Sequence, residues 1–90
     1  MNMKQTVKVL NHYGMHMVPC SLLAQLTSDY DGDVRLDDGS HEADCKSIAE
    51  LLLLGGKSGD VLTLTVRGEE AEAMMERIAT FFKSGFETEF

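Results

Sequence analysis

The sequence has little proline, little cysteine, little positive charge and no long hydrophobic run. Its longest uninterrupted apolar stretch is Leu51 to Leu54, far short of the roughly 20 residues a membrane-spanning helix needs. The lysines near the start are not followed by the continuous apolar core of a secretory signal. A cytoplasmic protein is therefore expected. The two cysteines, Cys20 and Cys45, are too few for a disulfide framework and form no CxxC pair. Eight basic residues are scattered against fifteen acidic ones, for a net charge of −7. Nucleic-acid binding is excluded on that count, because phosphate backbones demand clustered Lys and Arg.

What remains is ordinary globular composition, with 43% hydrophobic and 26% charged residues. Ninety residues is the length of one domain, 1–90, with a thin core. Acid concentrates in "SDYDGDVRLDDGSHEAD", where seven carboxylates meet one arginine. That composition makes a solvated surface. It is no EF-hand: counted from Asp29, loop positions six and twelve hold Val34 and Ser40 instead of Gly and Glu.

Hydrophobic periodicity divides the chain into seven elements. "KQTVKVL" reads as a strand with Val7 and Val9 on one face. Pro19, Leu22, Leu23 and Leu26 share one face of a helix running from about Met17 to Ser28. The only proline is tolerated there because first-turn amides lack intrahelical partners. "DVRL" and "HEADC" flank a "DDGS" turn, a hairpin with Val34, Leu36, Ala43 and Cys45 inward. "SIAELLLLGG" is a short helix opened by a Ser47/Glu50 capping box and stopped by Gly55 and Gly56. "VLTLTV" alternates strictly, and "EEAEAMMERIATFFKSG" is a long amphipathic helix burying Ala71, Met74, Met75, Ile78, Phe81 and Phe82. The order β-α-β-β-α-β-α predicts an α+β, two-layer, open-faced sandwich. Its four-stranded, mostly antiparallel sheet carries three helices on one face. Ferredoxin-like ligand-binding domains share the first six elements, but their ligand motifs are missing and the last helix is extra.

Two residues are candidates for chemistry. His16 precedes a helix, where unpaired backbone N–H groups and the helix dipole favour an anion. A neutral imidazole nitrogen is also a nucleophile. A phosphorylated histidine held by main-chain donors fits this position, and so does an ordinary surface histidine. Ser47 is explained completely as a cap, yet its hydroxyl also suits phosphorylation. His12, His16 and Cys20 lie four apart without the continuous helix or carboxylate partner a metal site needs. No glycine-rich phosphate loop follows a strand, and no cofactor is implied. Met17 and Cys20 lie off the predicted leucine stripe, and four consecutive leucines cannot all face inward. An apolar docking rim and the mere edge of a small core both account for them.

At this point the sequence resembles a family. "GMHMVPCSLLAQL" is similar to the active-site segment of HPr, the histidine-containing phosphocarrier of the bacterial phosphoenolpyruvate-dependent sugar phosphotransferase system. Gly14, Met15, His16 and Pro19 match its pattern. "CKSIAELLLLGGKSGD" resembles the family's regulatory segment through Lys46, Ser47, Ile48, Leu54, Gly55 and Gly59, and "VRGEEAEAMMERIATFF" its last strand and helix. The resemblance implies that His16 accepts a phosphoryl group from Enzyme I and passes it to EIIA domains, with the backbone of Met17 and Val18 holding the phosphate. It implies Ser47 as the target of HPr kinase/phosphorylase, with catabolite-repression complexes and a transcriptional regulator downstream. It implies a docking face on the first two helices through Met17, Cys20, Ile48, Leu51 and Leu52. The protein is then a monomeric phosphocarrier and a substrate of enzymes. A regulatory paralogue acting by protein binding, in catabolite repression or nitrogen-type control, is the alternative.

The chain departs from the pattern at three positions. The family's alanine after the histidine is Met17, and its arginine is Val18. Valine neither donates a hydrogen bond to phosphate nor balances its charge. Glu50 stands where many members carry a neutral or basic residue, which disfavours partners that expect a positive carrier.

Overall fold

The computed structural model describes residues 2–86. The elements are β1 (Asn2–Lys8), α1 (Met17–Thr27), β2 (Asp33–Asp37), β3 (Glu42–Asp44), α2 (Ile48–Leu54), β4 (Val61–Arg67) and α3 (Ala71–Lys83). The strands form one sheet in the order β1-β4-β2-β3, every neighbouring pair antiparallel. The order of elements along the chain and the antiparallel α+β architecture are those predicted.

β4 sits centrally because its alternation supplies a continuous buried row. Leu62, Leu64 and Val66 are buried, with Val7 opposite Leu62, and Leu36 and Val34 opposite Leu64 and Val66. On β3 and just past it, Ala43 and Cys45 complete the same layer, and the Cys45 N–H donates to the Val34 carbonyl at 2.9 Å. β1 and the three-residue β3 are the sheet edges, and both are blunted by charged side chains such as Lys4, Lys8 and Glu42.

α3 covers β1 and β4 with the whole predicted stripe from Ala71 to Phe82. The chain then turns back at Gly85 (φ 69°) and seats Phe86 between Phe81 and Phe82, with ring centroids 5.1 and 5.0 Å away. Aromatic contacts at these separations add to area burial.

α1 and α2 run antiparallel beside each other. The Met15 N–H donates to the Gly56 carbonyl at 2.7 Å, tying the start of α1 to the end of α2. The Thr27 hydroxyl donates to the Cys45 carbonyl at 3.3 Å, tying the other ends together. The start of α1 and the start of α2 are thus separated by about the length of α1, on the order of 15 Å.

The helix phase differs from the predicted stripe in one respect. Cys20 is fully buried, in line with Leu23, Ala24 and Thr27, while Leu22 is half-exposed. Burial pushes the Cys20 thiol up to about 11, so it stays protonated at neutral pH and is a poor nucleophile. Burial raises the Cys45 thiol further. Among the described residues, no group of three or more His, Cys, Asp or Glu side chains could hold a metal ion. Among them, too, no helix is long and apolar enough to cross a membrane.

Candidate functional site

The loop from Asn11 to Met15 delivers His16 to the first turn of α1. Gly14 adopts φ 69°, a left-handed conformation that favours glycine. A Cβ there would lie 2.5 Å from the Gly56 carbonyl oxygen, so absence of a side chain is what lets this loop dock on the end of α2. The Asn11 side-chain amide donates to the Gly14 carbonyl at 2.8 Å and closes the turn. Met15 is buried beneath it as an anchor.

His16 is the N-cap of α1, with extended backbone at φ −98° and ψ −171°. Its carbonyl accepts the first intrahelical bond, from the Cys20 N–H at 3.1 Å. Its side chain is exposed and makes no capping hydrogen bond. The next two residues carry first-turn N–H groups that the His16 side chain does not cap. Pro19, third in the helix, has no N–H to leave unpaired. α1 has no acidic side chain in its first turn, so no carboxylate of that turn offsets the positive end of the helix. Uncapped first-turn amides such as those of Met17 and Val18 are a chemistry that suits an anion.

The surroundings are apolar. Met17 is 57% exposed, Val18 58%, Tyr13 81% and Leu53 86%. The Tyr13 ring stands edge-on to the His16 ring at 6.2 Å, and His12 stands edge-on to Tyr13 at 5.1 Å. Leu53 lies near the end of α2, hence at the same end of the helix pair as His16. No sequence signal singled it out among four leucines, because the phase of a seven-residue helix is set by what it packs on.

Two residues expected on the docking face are not there. Cys20 and Leu51 are fully buried and offer nothing to a partner. Both occupy the inward side of their helix: Cys20 joins the α1 core stripe, and Leu51 is the one fully buried residue of α2. Ile48 is exposed and Leu52 half-buried, packed against the core edge.

Ser47 caps α2, its hydroxyl accepting from the Glu50 N–H at 3.2 Å. The reciprocal half of the predicted capping box is absent. The Ser47 N–H already donates to the Asp44 carbonyl at 2.9 Å, so the Glu50 carboxylate turns to the Asp44 N–H at 3.1 Å instead. Ser47→Ala is expected to cost about 1 kcal/mol of stability from the lost cap, measurable by urea denaturation. The antiparallel arrangement puts Ser47 and His16 at opposite ends of the helix pair.

Comparison with known proteins agrees with this geometry. A family model described as "PTS HPr component phosphorylation site" matches residues 3–84. The chain is 33% identical over 88 residues to phosphocarrier protein NPr of Escherichia coli (strain K12), covering 97% of this chain and 98% of that one. It is 32% identical over 85 residues to phosphocarrier protein HPr of Treponema pallidum (strain Nichols), covering 94% and 97%. The crystal structure of HPr-C-His from Thermoanaerobacter tengcongensis superposes with a TM-score of 0.89 at 24% identity, covering 98% and 99%. That likeness speaks to the fold.

Proposed function

The chain belongs to the HPr family of phosphotransferase-system phosphocarriers, and on that premise we propose that His16 is its phosphoryl acceptor. Proteins of this family carry phosphate rather than catalyse a reaction, so the chain is a substrate of enzymes. The observation that supports the assignment is an exposed histidine at an N-cap whose amides have no side-chain partner among the described residues. The lone pair of a neutral ring nitrogen forms the new P–N bond while the donor's bond to phosphorus breaks and its electron pair returns to the donor. Of the two ring nitrogens, Nδ1 is the nearer to the main chain, because it is bonded to Cγ. A phosphoryl group there accepts hydrogen bonds from the Met17 and Val18 N–H groups.

The donor in this reading is Enzyme I and the acceptor an EIIA domain, in the cytoplasm, with the chain acting as a monomer. Exposed Met17, Val18, Ile48 and half-buried Leu52 form the docking rim, joined by Leu53 and Tyr13. Incubation with a matched Enzyme I and phosphoenolpyruvate should load one acid-labile, alkali-stable phosphate, and adding EIIA should discharge it. Loading without discharge to any EIIA would remove the transport half of the reading.

A second reading is a regulatory paralogue in nitrogen-type control or catabolite repression. It is favoured by Val18, which leaves the site without its usual cation, and by the relatives that carry the name NPr. Ser47 is then the switch: HPr kinase/phosphorylase and ATP should add one phosphate that Ser47→Ala abolishes. A transcriptional regulator is the partner that such a phosphoserine would recruit.

A further inference from the structure

Lys57 is fixed beside the His16 loop by main-chain contacts on both sides. A Cβ on Gly14 would touch the Lys57 Cα at 3.1 Å. The neighbouring Gly56 carbonyl takes the Met15 N–H at 2.7 Å. The turn that follows is closed by the Asp60 N–H donating to the Lys57 carbonyl at 2.9 Å and the Lys57 N–H donating to the Asp60 carboxylate at 2.9 Å. Chain geometry through the Met15–Gly56 bond places the Lys57 Cα no more than roughly 10 Å from that of His16. An extended lysine and an imidazole carrying a phosphoryl group together span that gap.

Three of the other cations have partners, while Lys4 and Lys8 lie on β1 and Arg77 and Lys83 on α3. Arg35 and Arg67 both meet Asp33, and the Lys46 ammonium donates to the carbonyls of Tyr30 and Gly32. Lys57 is exposed, and among the described residues no carboxylate pairs with its ammonium. Val18 supplies no charge where the family has arginine. We propose that Lys57, reaching across from the turn after α2, supplies the cation that holds the phosphoryl group on His16. The inference rests on His16 as acceptor. It makes Lys57 a positioning residue for a flexible point charge, in place of the rigid fork of an arginine on α1.

The test uses phosphoramidate, which phosphorylates histidine without an enzyme. His12 and His41 are first replaced by glutamine so that only His16 of the three histidines reacts. Phosphorus-31 NMR then follows the ionisation of the phosphoryl group with pH. A nearby cation favours the dianion, so Lys57→Ala should raise its apparent pKa by roughly half to one unit. Lys57→Arg should keep the original value. Val18→Arg added to Lys57→Ala should lower it again. The difference should shrink in 1 M salt, where screening extends over about 3 Å. Identical titrations for the parent and Lys57→Ala overturn the proposal. Failure of Enzyme I to label the parent counts against the carrier reading alone, because the chemical route still decides the role of Lys57.

Discussion

Replacing His16 with alanine is expected to reduce Enzyme I-dependent labelling to background and to leave the fold intact. In the proposed reading the imidazole is the nucleophile, and among the described residues nothing nearby replaces it. Cys20, one helical turn on, is buried with its thiol held protonated, and Tyr13 and His12 are not at the N-cap. The His16 side chain makes no capping hydrogen bond, so its loss should change stability by less than about 0.5 kcal/mol. The two readouts must separate: label lost, denaturation midpoint kept. A variant that loses both would show only that the loop has collapsed. Residual label on His16→Ala at the parent level would put the acceptor elsewhere, with His12 the first candidate.

Gly14→Ala is expected to give the largest loss of stability at the site. Two costs add. Any side chain at φ 69° is strained, by about 1 kcal/mol. The new Cβ also meets the Gly56 carbonyl oxygen at 2.5 Å, and that contact is backbone on both sides. Relief requires the loop to lift and the Met15–Gly56 hydrogen bond to stretch, for a total of about 3 kcal/mol. Gly39→Ala is the control. Gly39 has φ 99°, but nothing lies within 4 Å of a Cβ there, so it should show the strain alone. Chemical denaturation of both variants separates the terms. Equal losses would mean that the close approach of the loop to the end of α2 contributes nothing. Phosphoryl uptake should fall with Gly14→Ala and not with Gly39→Ala, because only the first moves His16.

The seven elements were legible because each carries a local signal: a period, a cap or a turn. Strict alternation in "VLTLTV" and the stripe from Ala71 to Phe82 are local signals, and local packing obeys them. The failures are long-range. The leucines of α1 place Cys20 off the core stripe; Pro19, Leu23 and Leu26 of that stripe are buried as expected, but the buried face is wider and takes in Cys20, Ala24 and Thr27 as well. Leu51 could not be told from Leu53 within a run of leucines, although one is fully buried and the other 86% exposed. Glu50 fits a capping box by spacing, yet Asp44 supplies the competing main-chain partners.

The candidate site divides in the same way. His16 at a helix start is written in the sequence, as is the substitution at Val18. The approach of Gly14 to Gly56, and with it the placement of Lys57, depends on residues some forty positions apart meeting in space. No periodicity announces such a contact. The acidity of the chain, by contrast, is mostly what it looked like: Asp38 is occupied with the His41 and Ser40 N–H groups of the β2–β3 turn, which hold its carboxyl below the usual range. That exposed turn should loosen as pH falls through the lowered value, since the carboxylate form is the one the turn binds.

The central claim is that a phosphoryl group on His16 is held by the first turn of α1. Amide NMR of the protein before and after labelling by Enzyme I and phosphoenolpyruvate tests it most directly. The account predicts one phosphorus bonded to Nδ1 of His16 and large downfield shifts confined to the Met17 and Val18 N–H groups, with the Ser47 and Glu50 amides unmoved. A phosphate on any other residue, or a phosphorylated His16 whose neighbouring Met17 and Val18 amides do not respond, would contradict it.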